Sequence, residues 1–181
     1  GYSKIVYLKV TLKNIIMKKY LILLVVAFIF SSCETTPKDT NPKYEANLAT
    51  AKKYFELFKT EDIEAQKPLI CPGVTHHSPF IGSEPANFDG LIANNKAWQD
   101  NFEDITYNET VWLPGTDSLG VFDGSVRTYG VWTAKNSQTG NVVSVNAYHY
   151  FDFNDAGQIH ITGDYFDATG VMAAAMKTSE E

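Results

Sequence analysis

Basic residues are scarce in this sequence once its first 33 residues are set aside. Of the 15 Lys and Arg residues in the 181-residue chain, five lie in that segment, so 10 remain against 21 acidic residues and give a net charge of −11. A surface this acidic repels a phosphate backbone, and the sequence has no basic stripe that would offset the repulsion. The composition therefore excludes nucleic-acid binding.

Cysteine and long apolar runs are also lacking, which limits disulfides and membrane spans. The chain has two cysteines, Cys33 and Cys71, and its longest apolar run, from Tyr20 to Phe30, is too short to cross a bilayer. Cys71 lies in the apolar stretch PLICPG, which favours packing over a role as a nucleophile. If Cys33 is lipidated, as its context indicates, no intramolecular disulfide can form.

The apolar run belongs to a segment organised like an export signal. In MKKYLILLVVAFIFSSC, a lysine pair precedes the run, and two serines and Cys33 follow it. The small-small-Cys ending resembles a bacterial lipoprotein box, which implies a lipid on Cys33 and a location in the bacterial cell envelope, anchored outside the cytoplasm. The alternative is an ordinary secretory signal with a coincidental cysteine. Residues 1–33 are thus predicted to be a leader and signal peptide, and residues 34–43 a flexible tether.

The remainder, residues 44–181, is predicted to form one domain that begins with helices. An apolar stripe at helical spacing predicts a first helix carrying Tyr44, Leu48, Ala51, Phe55 and Phe58. A short second helix is expected from Thr60, and a third, from Asp89, should place one stripe of side chains inward: Leu91, Asn95, Trp98 and Phe102. The segment between the second and third helices, GVTHHSPFIGSEPANFDG, has the composition of a loop.

From Ile105 onward the pattern changes to strands. The predicted strands are ITYNETVWL, SVRTYGVWTA, VVSVNAYHYFDF and QIHITGDYFD, and turn-rich segments separate them. Helices followed by a meander of antiparallel strands predict an α+β domain in which the helices cover one face of the sheet.

The last two strands place a histidine and an aspartate among apolar side chains. Because side chains alternate along a strand, His149 shares a face with the apolar residues of its strand. After the next turn, the same alternation puts Gly163 and Asp167 on the inward face, unless a bulge intervenes. A buried carboxylate or imidazole needs a partner or a cavity that admits a ligand, and an inward glycine leaves space for one.

Both polar residues also have a purely structural interpretation. Asp167 precedes a short terminal helix, ATGVMAAAMK, and an N-cap aspartate needs no further function. His149 lies between two tyrosines, and a core histidine can simply hydrogen-bond a hydroxyl or a carbonyl. The two interpretations are compatible, since a capping residue can also line a cavity.

Several short motifs, in this order of elements, carry a resemblance to a known family. HHSP at 76–79 is similar to a His-x-Pro motif, FDG opens the third helix, FED at 102–104 is similar to Phe-Pro-Asp, and Asp167 stands ten residues after Gly157. The span from Tyr44 to Met176 resembles the nuclear transport factor 2-like superfamily and, within it, the SnoaL-like group that includes polyketide cyclases. It departs from the group's pattern at Gly163 and Gln158, where the group has tryptophan and lysine.

This resemblance implies a curved antiparallel sheet wrapped on N-terminal helices to form a cone-shaped pocket. In the cyclase members the matching aspartate is a general acid/base, so the resemblance implies that role for Asp167. His149 would be its partner, a role that rests on strand alternation alone. The resemblance also suggests a homodimer formed through the outer sheet face, on which we expect Tyr148, Tyr150 and Phe166.

Five further side chains are candidates for the pocket wall, with core packing as the alternative for each: His77, Asn95, Trp98, Trp132 and Tyr165. The neighbouring His76 and His77 lack a third metal ligand in the sequence, so we expect no metal and no cofactor.

Two functions from different classes fit these observations. The favoured one is an envelope-anchored lipoprotein whose domain binds a small apolar ligand or a partner without catalysis. The alternative is an isomerase, cyclase or hydratase of small molecules that uses Asp167 as general acid/base.

Overall fold

The computed structural model describes residues 41–178 and shows four α-helices and a five-stranded sheet. In chain order the elements are α1 (Tyr44–Lys59), α2 (Ile63–Gln66), a 3₁₀ turn (Lys67–Leu69), β1 (Ile70–His77), α3 (Phe88–Asn101), β2 (Phe102–Thr116), β3 (Phe122–Asn136), β4 (Val142–Phe153), β5 (Ile159–Tyr165) and α4 (Ala168–Ala175). The predictions for the signal peptide, for Cys33 and for most of the tether lie outside the described residues. Within the described part, no helix is both long and apolar enough to cross a membrane.

The sheet has the order β1-β5-β4-β3-β2, with every neighbouring pair antiparallel except β1 and β5, which are parallel. The α+β prediction is confirmed, but the sheet is mixed and gains a strand from a segment predicted to be a loop. Strand β1 gave little local signal because Pro72 and Gly73 interrupt it. Its pairing with β5 makes it a strand, and the alternation of that strand buries Val74 and His76.

Helix α1 covers the inner face of the sheet with its predicted apolar stripe. Tyr44, Ala51 and Phe55 are buried, and the ring of Phe55 lies 4.9 Å from that of Tyr107 and 5.1 Å from that of Trp132. The helix begins at Tyr44, the first residue of that stripe. This packing forms the larger of two apolar clusters.

Helices α3 and α4 close the other end of the sheet. Phe102, Val143, Val171 and Ala175 form the second cluster there, with Trp98 packed against it. The start of α3 is one residue before the predicted Asp89, and Asn87 caps it by accepting from the backbone N–H of Gly90. Similarly, Asp62 rather than Thr60 caps α2.

A bulge in β5 reverses the predicted faces of that strand. The pairing of β4 with β5 is regular from Tyr148 and Tyr165 to Asp152 and Ile161, but Phe153 then pairs with Ile159, so His160 is an extra residue. One extra residue moves every following side chain to the opposite face.

The residues beyond the bulge therefore correct several predictions. Gly163 faces outward, and the ring of Tyr150 lies so close to it that a Cβ atom would not fit. Tyr165 is 63% exposed on that outer face, so its prediction as a pocket residue is wrong. Phe166, predicted to lie outside with Tyr148 and Tyr150, lies inside, in contact with Trp98. The homodimer stays a prediction.

Asp167 is exposed and caps α4, so the prediction that it faces inward is wrong. Its side chain accepts a hydrogen bond of 2.8 Å from the backbone N–H of Gly170. The N-cap interpretation of Asp167 is confirmed. The bulge is the reason for the error, because strict alternation would have placed this side chain in the interior.

Replacement of Asp167 by alanine should lower the free energy of unfolding by about 1 kcal/mol, because the cap of α4 is lost. Asp167→Asn should lower the free energy of unfolding by only roughly a few tenths of a kcal/mol, since asparagine caps equally well. Urea denaturation of both variants measures the difference. Equal losses for alanine and asparagine would contradict a capping role.

Candidate active site

A cavity of about 100 Å³ lies between the two apolar clusters. Aromatic and aliphatic side chains form most of its wall, among them Phe55, Phe102, Val143 and Phe166. Its histidines and its carboxylate lie where β1, β4 and β5 meet: His76, His149 and Asp164. An apolar cavity with a few convergent polar groups is the usual form of a small-molecule site.

His149 and Asp164 form a buried pair on neighbouring strands. They stand directly opposite each other in the pairing of β4 with β5, and directly opposed residues project to the same face. Nδ1 of His149 lies 2.6 Å from Oδ1 of Asp164. The histidine side chain is 4% exposed and that of the aspartate 22%.

Trp132, from β3, determines which nitrogen of His149 carries the proton. Its indole N–H donates to Nε2 of His149 over 2.8 Å. Because an indole nitrogen can only donate, Nε2 must accept, and the ring proton lies on Nδ1, which donates to Asp164. Gly130 and Ala147 face each other between these positions, and the ring of Tyr107 packs where a Cβ atom of residue 130 would lie. Trp132, His149 and Asp164 thus form a directed hydrogen-bond chain.

Asp164 is held in its ionised form by this chain. Burial alone raises the pKa of a carboxyl group, but the electrostatic interaction and hydrogen bond with His149, and a smaller contribution from His76, outweigh burial and lower the pKa of Asp164. The carboxylate is anchored through Oδ1 only. Its second oxygen, Oδ2, has no hydrogen bond to His149 and lies 3.7 Å from Nε2 of His76.

His76 is the third titratable group and the least satisfied. Its side chain is 3% exposed, and neither ring nitrogen has a hydrogen-bond partner among the described residues. Nε2 lies 3.7 Å from Oδ2 of Asp164, which is too long for a hydrogen bond. Burial lowers the pKa of His76; the proximity of Asp164 raises it by less, and His77 and His149 lower it further. His76 is therefore neutral at neutral pH.

Asn95, the polar member of the predicted stripe on α3, joins the helices to one another. Its amide donates to the hydroxyl of Tyr54 over 2.6 Å, and the side chain of Gln66 donates to the backbone carbonyl of Tyr54 over 3.1 Å. Burial raises the pKa of Tyr54, so its hydroxyl remains protonated. This network holds α1, α2 and α3 around the cavity.

The cavity brings together four of the residues predicted from the sequence: His149, Asn95, Trp98 and Trp132. His77 is exposed, because it alternates with the buried His76 on β1, and its prediction as a pocket residue is wrong. Asp164 and His76 were missed. A count of cross-strand partners back from the turn would not have placed Asp164 opposite His149, because the extra residue His160 shifts the register. Among residues 41–178, no cluster of three or more His, Cys, Asp or Glu side chains could hold a metal.

No family model and no curated protein matches the sequence, whereas solved structures match the fold. The protein named "putative SnoaL-like polyketide cyclase" from Jannaschia sp. CCS1 superimposes with a TM-score of 0.65 at 16% identity, over 78% of this chain and 99% of that chain. The chain has the nuclear transport factor 2-like fold. IdmH from Streptomyces antibioticus, named "a putative polyketide cyclase", superimposes with a TM-score of 0.59 at 20% identity, over 71% of this chain and 96% of that chain.

Other solved structures of this fold extend the comparison. The "putative isomerase" from Bacillus subtilis has a TM-score of 0.62 at 15% identity, over 73% of this chain and 94% of that chain. The predicted resemblance to the SnoaL-like group and the predicted cone-shaped α+β fold are confirmed. At identities this low the likeness concerns the nuclear transport factor 2-like fold alone, so activity has to be argued from the cavity.

Acidification should destabilise the domain through His76. Because the pKa of His76 in the folded state is below its unfolded value of about 6.5, the unfolded chain binds more protons as the pH falls, and stability decreases. The free energy of unfolding should fall between about pH 7.5 and pH 5.5, and His76 should contribute at most about 1.4 kcal/mol per pH unit to that loss. We expect this contribution to be absent in His76→Leu. Urea denaturation at both pH values measures it. His77→Leu is the control, and it should retain most of the loss, because His77 makes only a minor contribution to the lowered pKa of His76.

Proposed function

We propose that this domain is a small-molecule enzyme in which Asp164 takes a proton from a bound substrate and returns it. The observation that supports this most directly is the asymmetric anchoring of the carboxylate. One oxygen accepts from His149 at 2.6 Å, the other has no hydrogen bond to a described residue, and Asp164 lies in the wall of an apolar cavity. A desolvated, ionised carboxylate that is held in place is the form required of a general base.

His149 is better suited to position Asp164 than to transfer the proton itself. Both of its nitrogens are engaged, Nδ1 with Asp164 and Nε2 with the indole of Trp132. A general base must reach the proton that it removes, and only Oδ2 of Asp164 meets that condition. The catalytic role predicted for Asp167 therefore passes to Asp164, and the role predicted for His149 becomes one of orientation.

The wall of the cavity indicates an uncharged, mainly apolar substrate. Among the described residues that form it, none is a lysine or an arginine, and Asp164 is the single carboxylate. An anionic ligand would be repelled without compensation. Two of the structures with this fold are named as polyketide cyclases and one as an isomerase, and proton transfer at carbon is compatible with both kinds of reaction.

The non-catalytic binding function favoured from the sequence remains a prediction. The same cavity would serve a binding protein, since apolar surface binds and a few polar groups orient. A buried carboxylate that is ionised, anchored and still free at one oxygen adds nothing to the binding of an apolar ligand. It is the feature that favours catalysis.

Asp164→Asn should slow proton exchange at the carbon next to the carbonyl group of cyclohexanone or acetophenone by about 100-fold or more, since the base is lost. Proton NMR in D₂O follows the exchange in the presence of the purified domain. Asp155→Asn is the matched control, because Asp155 is fully exposed and its one ionic partner among residues 41–178 is Lys43. Exchange that is equally fast in wild type and Asp164→Asn would refute the proposed function.

We also propose that the chain is exported and anchored in the bacterial cell envelope by a lipid on Cys33. The support is the order of lysine pair, apolar run, two serines and cysteine in residues 17–33. The rest of the chain, with 10 basic and 21 acidic residues, offers no competing means of binding an anionic membrane.

Full-length chain expressed in a bacterium should incorporate an alkyne-labelled fatty acid and sediment with membranes. Cys33→Ala should remove both properties, because the acceptor thiol is lost. Cys71→Ala, the other cysteine of the chain, is the control and should keep the label. A labelled Cys33→Ala protein would exclude this anchor.

A further inference from the structure

We infer that His76 donates a hydrogen bond to the carbonyl oxygen of the substrate, and that the substrate is therefore an uncharged carbonyl compound with a C–H bond on the neighbouring carbon. This inference rests on the proposed function, since it adds a second catalytic group to the proton transfer by Asp164. It assigns a role to His76 and names carbonyl compounds as the substrate class, neither of which follows from proton transfer by Asp164 alone.

The first argument is that the protein leaves His76 unsatisfied. A polar side chain that is buried without a hydrogen bond costs free energy, and nearly all such groups in native proteins have a partner. The imidazole is 3% exposed, lies in the cavity wall and has no partner at either nitrogen among residues 41–178. A ligand with a hydrogen-bonding atom in the cavity would satisfy it.

The second argument is the distance between His76 and Asp164. Nε2 and Oδ2 are 3.7 Å apart, too far to bond each other. In a carbonyl compound the oxygen and the neighbouring carbon are roughly 2.4 Å apart, from bond lengths of about 1.23 and 1.52 Å. Such a fragment can therefore lie alongside the pair, with its oxygen at Nε2 and its C–H bond directed at Oδ2.

The proton transfer is balanced without any other reactant. Oδ2 of Asp164 takes the proton from the carbon, the electrons of the C–H bond form a C=C bond, and those of the C=O bond move to the oxygen. The oxygen becomes an enolate, and the N–H of His76 donates to it more strongly as its charge develops. If a deuteron from D₂O replaces the proton on Asp164 before the transfer back, delivery to the same carbon gives exchange, and delivery to another carbon gives an isomer.

The charge state of the two groups suits this division of roles. Burial keeps His76 neutral by lowering its pKa, and His149 keeps Asp164 ionised. A neutral imidazole can polarise a carbonyl group while a nearby carboxylate acts as base. The aromatic wall and the cavity volume of about 100 Å³ suit the reacting end of a small ketone better than a charged metabolite.

The kinetic test compares two replacements of His76 in the ketone exchange assay. His76→Leu, which has no donor, should lower the rate of exchange by about 100-fold. His76→Gln places an N–H near the position of Nε2 and should keep the rate within about tenfold of wild type. The matched control is His77→Leu, next to it in the chain but exposed, and it should exchange at the wild-type rate.

A binding measurement on the wild-type protein guards against variants that fail to fold. Phenol is the probe, because it is uncharged and planar like an enol, and its oxygen can accept from His76 while its hydroxyl donates to Asp164. Addition of phenol should shift the ¹⁵N NMR signal of the Nε2 nitrogen of His76, and His76→Leu should weaken phenol binding about tenfold or more.

The outcomes separate the two proposals. Exchange that needs Asp164 but is unchanged in His76→Leu would overturn the role of His76 and leave the proposed function intact. No Asp164-dependent exchange, together with a phenol-induced shift at His76, would refute the proton transfer and retain His76 as a ligand-binding group. No shift at His76 on saturation with phenol would overturn the inference.

Discussion

The hydrogen bond between His149 and Asp164 is the interaction on which the rest of the site depends. A carboxylate in an apolar cavity is costly unless a donor replaces its lost hydration. His149 is that donor, because Trp132 occupies its other nitrogen and holds it in one tautomer. The three side chains come from β3, β4 and β5, so the chain forms only when these strands pair in one register. The register of these strands therefore determines whether Asp164 is held in its ionised form.

The bulge at His160 has the largest effect of any local feature of the backbone. Without it, the strand would direct Gly163 and Tyr165 into the interior and Asp164 to the surface, and the cavity would have no carboxylate. With it, Gly163 faces outward, where Tyr150 packs on it, and the acid faces His149. A single inserted residue thus decides which of two acids, Asp164 or Asp167, belongs to the site and which caps a helix.

The cavity lies between two apolar clusters. Phe55 packs in the larger cluster and Phe102 in the smaller one, and both contribute to the cavity wall. The hydrogen bond between Asn95 and Tyr54 joins α3 to α1 on one side of the cavity. The nuclear transport factor 2-like fold supplies this arrangement, but the fold hosts unrelated functions. The chemistry proposed here depends on what this chain adds to it, an anchored carboxylate beside an unpartnered imidazole.

Periodicity along the chain was enough to predict the helices, the strand β4 and the inward direction of His149, because those properties depend on side chains close together in sequence. It also identified Asn95, Trp98 and Trp132 as residues facing inward. Strand β1, the direction of Asp164 and the burial of His76 rather than His77 were not predictable in this way. They depend on pairing between segments more than 80 residues apart and on a bulge that carries no sequence signature. Only the tertiary structure decided them, since an added residue in one strand reverses faces that strict alternation would assign.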